Sequence, residues 1–377
     1  MLLPLAAVQR AARDSTSRSS LPSVPFESAE ADRDRAGSAQ AVIVRLTAMK
    51  VLITGGAGYI GSTIGSACVD AGHEIVVIDD LSTGLRSFGE GRNLYVGDIA
   101  DAILVRRVVA DHPDIEAVVH CAARIVVPES VADPLGYYDA NVGKTVTMLQ
   151  TLRDEGIDRI VFSSSASVYA GDSGGGVDEA APLAPASPYA ASKAMVEQIL
   201  ADAARAGQFR AIALRYFNPI GADPRLRTGL QNPTPSHALG KIMSARAEGD
   251  PFSITGTDWP TRDGSGLRDY IHVWDLASAH VAAVERFDEV ATMDAPYRVI
   301  NLGTGEGVTV RELVEAFERV TGAPLSTVDA PRRPGDQAGA YALVDRAQEL
   351  LGWRATRTVD DGIRDALAWA DKLHSAR

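Results

Sequence analysis

From Met49 onward, short continuous apolar runs alternate with longer segments of helical spacing. Six runs read as strands: Val51–Thr54, Glu74–Asp79 with its core IVVI, Asn93–Val96, Ala117–Ala122, Arg159–Ser164 and Ala211–Leu214. Between them Gly61–Ala71, Ala102–Asp111, Gly136–Glu155 and Pro188–Ala206 read as helices. Proline fits the first turn of a helix and glycine fits just past its end, so Pro188, Gly72, Gly156 and Gly207 act as boundary marks. Strands that are apolar on both faces and separated by helices predict a parallel sheet covered on both sides.

After Arg215 the pattern changes. Pro, Gly and turn residues dominate 219–268, and periodic segments return at Tyr270–Arg286, Arg298–Leu302, Thr309–Val320 and Ala347–Leu351. The expected class is therefore α/β: a doubly wound parallel sheet with a smaller C-terminal α/β lobe. The expected boundaries are 49–217 for the sheet domain, with segments near 270–302 as candidates to return to it, and 218–377 for the lobe. Residues 1–48 stand apart, rich in Ser, Arg, Asp, Glu and Ala and lacking periodicity. They cannot bury enough apolar area to offset their ordering entropy. They read as a disordered extension or as the product of a mis-assigned start. MLLPLAAV has no basic segment before it, which makes it a poor secretory signal.

A net charge of −12 argues against a nucleic-acid surface, which needs clustered Lys and Arg. No apolar run has the length needed to span a bilayer. Two cysteines, Cys68 and Cys121, make no zinc or disulfide framework and read as buried free thiols. The expectation is a soluble cytoplasmic protein without a metal.

Two constellations carry chemistry. In Gly55-Gly-Ala-Gly58-Tyr59-Ile60-Gly61 the glycines stand three apart between a strand and a helix. The first permits a tight turn, the second lets backbone approach a pyrophosphate, and the third lets helix pack on strand. The next strand ends at Asp79 and Asp80, and an acidic group there accepts from a ribose and repels a 2′-phosphate. The expected cofactor is NAD on a Rossmann-type sheet. Downstream, Tyr189 and Lys193 lie four apart on one helix face, and Ser165 closes the fifth strand. An ammonium beside a phenol, with a positive nicotinamide, favours phenolate, so Tyr189 is the candidate acid/base with Ser165 as its hydrogen-bond partner. His120 ends a buried strand and reads as a packed histidine.

This glycine spacing with a later Tyr-x-x-x-Lys resembles the extended short-chain dehydrogenase/reductase superfamily. The ordered set VLITGGAGYIGS, VVIDDLSTG, GDI, VVHCAA, VPES, YYDANV, FSSSASVY, SPYAASK, LRYFNPIGA, RDGSGLRDYIHVWDLA and RRPGD is similar to the UDP-glucose 4-epimerase family, from Lys50 to about Trp369. The resemblance implies that Asp98 and Ile99 contact adenine. It implies that Gly58, Tyr59, Ile60 and Asp79 hold the pyrophosphate and ribose, and that Asn141 and Lys193 lie by the nicotinamide half. Tyr216 would contact the cofactor and Asn218 the substrate. Arg268, Arg333 and Asp336 would hold the UDP of a UDP-sugar, with Asn232 on its phosphate or uridine side. It also implies a homodimer packed through helices at 136–155 and 188–206. The sequence departs from the family where a Lys is usual: Ile125 or Arg124 falls there. Ala340 stands at a position lining the sugar pocket, where a small residue leaves room for a 2-acetamido group.

The implied reaction is NAD-dependent C4 epimerisation of a UDP-hexose through a 4-keto intermediate. A 4,6-dehydratase would need a carboxylic acid at the fifth strand, and Ser165-Ala166-Ser167 offers none. A glucuronate epimerase or decarboxylase is neither required nor excluded. A non-catalytic NAD-binding protein is disfavoured by the intact Ser165, Tyr189 and Lys193.

Overall fold

Alternate residues of the central strands serve opposite faces of one sheet. Val51 and Ile53 pack with Val77, Val161, Ile212 and Leu302, whereas Leu52 packs with Val76, Ile78, Val118 and Phe162. A strand with period-two side chains and two covered faces has to be apolar throughout, which is why these runs show no polar alternation. The computed structural model describes residues 48–170, 174–232, 235, 237–332 and 337–375. Apart from Ala48, the 1–48 segment lies outside the described residues, as do Arg333 and Asp336.

The strands are β1 (Lys50–Thr54), β2 (Glu74–Asp79), β3 (Leu94–Val96), β4 (Ile115–His120), β5 (Arg159–Ser163), β6 (Gly176–Val177), β7 (Arg210–Tyr216), β8 (Asn218–Ile220), β9 (Phe252–Thr255), β10 (Leu267–Arg268), β11 (Tyr270–His272), β12 (Tyr297–Leu302), β13 (Val308–Thr309), β14 (Thr327–Ala330) and β15 (Gly339–Ala342). The helices are α1 (Tyr59–Asp70), α2 (Ala102–Asp111), α3 (Val127–Ala132), α4 (Pro134–Tyr138), α5 (Lys144–Asp154), α6 (Pro188–Arg205), α7 (Ala238–Glu248), α8 (Val273–Glu285), α9 (Phe287–Val290), α10 (Val310–Thr321), α11 (Asp345–Leu351) and α12 (Val359–Ser375).

Seven strands form the main sheet in the order β12-β7-β5-β4-β1-β2-β3, all parallel. Helices α1 and α8 cover one face through Ile64, Leu276 and Val284. Helices α2, α5 and α6 cover the other through Val105, Met148, Leu152, Val196 and Leu200. Each such side chain contributes about 1.5–3 kcal/mol on burial. The strand order reverses beside β1, so the crevice at its carboxyl end lies between β1 and β4, the place where doubly wound sheets bind nucleotides.

Three local outcomes differ from the sequence reading. The fourth strand is Ile115–His120, two residues earlier than expected. The helix expected over 136–155 begins at Pro134, because the Asp133 side chain accepts from Gly136 N and proline fits the first turn. It is then interrupted by a π turn, Asp139–Gly143, before α5. Cys121 is half-buried rather than buried, and both cysteines are free.

The remaining elements make smaller sheets, β13-β10-β15-β6, β11-β8 and β14-β9. Around them α7, α10 and α12 enclose Leu239, Ile242, Phe252, Leu313, Phe317 and Ile363. The start of α10 is fixed by a capping box in which Thr309 and Glu312 satisfy each other's backbone.

Candidate active site

The turn after β1 is built by its glycines. Gly55 has φ +70°, and a Cβ there would stand 2.7 Å from Ala122 N at the end of β4. Gly61 packs so closely that a Cβ would stand 2.3 Å from Gly55 O. Gly58 is different: its Cβ would meet only Gly55 O, at 3.4 Å. It is the N-cap of α1, which has no side-chain cap and no acidic residue in its first turn. A helix start of that kind directs N–H groups and positive potential outward, and suits an anionic pyrophosphate.

Asp79 braces this turn, accepting from Ala57 N at 2.9 Å and Leu81 N at 2.8 Å. Burial pushes its carboxyl above the usual range despite those bonds. Tyr59 donates its hydroxyl to Gly221 O at 2.7 Å, and Ile60 packs against the core beneath the turn. Ile99 is buried. Burial pulls Asp98 up, but the hydrogen bond from Lys144, the bond from Ala100 N and the Lys144 charge together hold the carboxyl low. A cradle of glycine backbone, an open helix start and an acidic residue at the end of β2 fit NAD.

The catalytic candidates come from β5 and α6. Ser187 caps α6, accepting from Ala190 N at 3.2 Å, and Pro188 opens it. This presents Tyr189 and Lys193, 8% and 2% exposed, on one face. Burial raises the Tyr189 phenol, and a hydrogen bond with Ser165 pulls it back down. Burial wins, and the Tyr189 phenol stays above its ordinary value. The Lys193 ammonium donates to Ser163 O at 2.8 Å and lies 4.8 Å from the Phe162 ring centroid. Burial takes its pKa down to about 8. Burial raises the Tyr216 phenol, and Tyr189 adds to the rise. His120 bonds Thr54 Oγ1 at 2.7 Å and Thr145 Oγ1 at 2.9 Å, and burial lowers its pKa to about 3. A neutral, doubly engaged imidazole is a packed histidine.

The π turn directs Asn141 inward. Its Oδ1 accepts from Arg124 N at 2.8 Å, and its Nδ2 donates to Arg124 O and Ser192 Oγ, both at 2.9 Å. It therefore clasps the loop where a lysine is usual in the family. Arg124 sends its guanidinium to Asp133 at 2.9 Å and over the Tyr137 ring, and Ile125 is 60% exposed.

A cleft of about 230 Å³ lies in the second part of the chain, lined by Asn218, His237, Lys241, Trp259, Arg268 and Tyr270 among others. Arg268 is held by carbonyls, donating to Leu267 O at 2.6 Å and Ala338 O at 3.3 Å. Strand pairing sets it opposite Ala340, which packs with Val168, Tyr169 and Phe217. Asn232 is exposed and does not line the cleft.

Sequence reasoning missed His237 and Tyr270. His237 caps α7 through Nδ1, which accepts from Gly240 N at 3.2 Å. Its Nε2 and the Tyr270 hydroxyl are buried without a partner among the described residues. Burial lowers the His237 pKa to about 4 and raises the Tyr270 phenol to about 12, so both are neutral. Leaving such atoms unpaired costs about 1–3 kcal/mol each, which a polar ligand in the cleft would recover. The polar run around 234–237, just before a helix, was the available signal.

Among the described residues no cluster suits a metal ion, and no helix is long and apolar enough to cross a membrane. Residues 51–303 match the NAD dependent epimerase/dehydratase family. The chain is 44% identical over 330 residues to the UDP-glucose 4-epimerase of Azospirillum brasilense, covering 87% of this chain and 93% of that protein. It is also similar to the crystal structure of a UDP-glucose-4-epimerase from Stenotrophomonas maltophila with bound NAD and formylated UDP-arabinopyranose. That match has a TM-score of 0.82, 38% identity, and coverage of 87% and 100%. The UDP-Glc/GlcNAc 4-epimerase of Campylobacter jejuni matches with a TM-score of 0.73 and 34% identity, covering 86% and 99%.

Proposed function

The chain belongs to the NAD dependent epimerase/dehydratase family, and from that premise we infer that it is an isomerase acting on UDP-hexoses. It epimerises C4 of UDP-glucose and UDP-galactose through a 4-keto sugar. Bound NAD supplies a reversible redox partner for C4. The observation that carries the reading is the burial of Tyr189 and Lys193 on one face of α6, with the Lys193 ammonium donating to Ser163 O at the end of β5.

Tyr189 Oη takes the proton of the sugar 4-hydroxyl and later returns it. Ser165 orients that oxygen and stabilises its anionic form. Lys193 keeps a cation at the same edge. Arg268, Asn218, His237 and Tyr270 hold the UDP, so the sugar can turn while the nucleotide stays anchored, and remote binding energy retains the ketone. Arg333 and Asp336 belong to this anchor in the proposal. So do Gly58, Asp79, Asp98 and Asn141 on the cofactor side. Ser167, where a dehydratase needs a carboxylic acid, bonds Ser165 at 2.8 Å.

The proposal divides the chain into a cofactor part, 49–217 with 270–302, and a UDP-sugar part in the remainder of 218–377. It has the chain work in the cytoplasm, where nucleotide sugars are made. It includes a homodimer through the face of 136–155 and 188–206, an arrangement supported by the exposed Met195 on α6. Conversion of UDP-galactose without added NAD tests the reading.

A further inference from the structure

A buried ion pair lies behind the catalytic edge, and the chemistry above does not use it. Glu197 and Arg215 are each 4% exposed. Arg215 Nε donates to both Glu197 oxygens, at 2.9 and 3.1 Å, and Nη2 donates to Oε2 at 2.5 Å. Taking two charges out of water is costly, and such pairs are often replaceable by apolar residues without loss of stability. A pair in this position therefore calls for another reason.

Its neighbours supply one. Glu197 stands four residues after Lys193 and eight after Tyr189, on the same face of α6. Ser164 donates its hydroxyl to Glu197 Oε1. Ser164 sits between Ser163, whose carbonyl receives Lys193, and Ser165, the candidate partner of Tyr189. Its own N–H donates to Leu214 O at 2.9 Å, next to Arg215 on β7. Arg215 Nη1 then donates to Tyr169 Oη at 2.9 Å, and Tyr169 Oη donates to Asn301 Oδ1 at 2.7 Å. Tyr169 shares an apolar cluster with Phe217 and Ala340, on the sugar side.

We propose that Glu197 is a positioning residue for the reaction. Through Ser164 it holds α6 against the end of β5 and so fixes Tyr189 against Ser165. Through Arg215 and Tyr169 it ties that edge to the wall carrying Ala340. The inference rests on the epimerase reading of the site.

Ser164→Ala removes the link between α6 and β5 and leaves the Glu197–Arg215 pair intact, so it avoids stranding a buried charge. Glu197→Gln removes the charge itself. The experiment measures kcat and KM for UDP-galactose, bound NAD and melting temperature for both variants and wild type. Small displacements of reacting groups cost large factors in rate, so kcat of Ser164→Ala should fall about tenfold or more with KM and bound NAD unchanged. Glu197→Gln should fall further wherever it folds. A Ser164→Ala kcat within about twofold of wild type overturns the inference, as does a loss matched by loss of bound NAD. A wild type inactive on UDP-galactose contradicts the epimerase reading itself, and the inference falls with it.

Discussion

Arg268 and Ala340 lie opposite each other on paired strands, with β10 and β15 parallel and these residues in register. One backbone ladder thus sets both the guanidinium that would hold the diphosphate and the methyl group that would bound the sugar. Tyr341, the next residue, pairs with Gly176 and alternates to the other face. A phenol at position 340 would add bulk beside Val168, Tyr169 and Phe217, with which Ala340 packs. Overfilling a packed site costs about 1–3 kcal/mol. Wild type should therefore convert UDP-N-acetylglucosamine as well as UDP-glucose. Ala340→Tyr should suppress the acetamido activity and spare the other. Parallel assays of both sugar pairs check this, and an equal loss on both pairs contradicts it.

Two glycines of the nucleotide turn should respond differently to the same change. Gly61→Ala forces a Cβ to within 2.3 Å of Gly55 O, so the variant should be strongly destabilised. Gly58 has φ −81°, and its would-be Cβ makes only an ordinary contact, 3.4 Å from Gly55 O. Gly58→Ala should fold and melt close to wild type but lose bound NAD, because the methyl group enters the phosphate cradle. Retention of NAD by a folded Gly58→Ala would place the pyrophosphate elsewhere. Bound cofactor measured beside melting temperature separates these outcomes.

The unpartnered Tyr270 hydroxyl gives an expectation with opposite signs. Removing a buried, unsatisfied hydroxyl relieves a desolvation penalty of about 1–3 kcal/mol. Tyr270→Phe should therefore raise the melting temperature of the ligand-free protein while weakening UDP binding by about 1 kcal/mol, the usual worth of one hydrogen bond. Calorimetry with UDP alone reads the second effect. Unchanged UDP affinity would show that the hydroxyl does not meet the nucleotide.

Acid should destabilise the fold before the carboxylates titrate. Burial lowers His120 to about 3 and His280 to about 4, while an unfolded histidine titrates near ~6.5. Between those values the unfolded chain binds a proton that the native chain refuses, so stability falls as pH drops from about 6.5 toward about 4. Each such histidine contributes at most about 1.4 kcal/mol per pH unit across that window. His280→Gln should show a smaller loss in denaturant midpoint between about pH 7.5 and about pH 5 than wild type. An identical slope would mean that His280 is protonated in the native state.

The parallel sheet was legible because its chemistry is local: a strand buried on both faces is continuously apolar, and a glycine turn reports close backbone approach. The grouping of Tyr189, Lys193 and Ser165 was open to the same kind of reading, because the end of β5 and the start of α6 are marked locally. The breaks came where tertiary contacts decide. The interruption of the helix at Asp139–Gly143 follows from Asn141 reaching the Arg124 backbone, which no periodicity announces. His237 escaped notice because its role depends on burial between α7 and the cleft. Helix α12 was missed although Ile363, Ala366, Leu367 and Ala370 carry the helical spacing and Asp360 and Asp361 open it. Nothing in the sequence sets Glu197 apart from other helix carboxylates; its bonds to Ser164 and Arg215 appear only in the folded chain.

Incubation of the purified protein with UDP-galactose and no added NAD, with Tyr189→Phe run beside it, decides whether the chain is an epimerase. UDP-glucose should form to equilibrium with wild type, and Tyr189→Phe should be about 10²- to 10⁴-fold slower with UDP binding retained. No interconversion by a wild-type protein that binds UDP and carries NAD, or equal rates for the two proteins, would contradict that expectation.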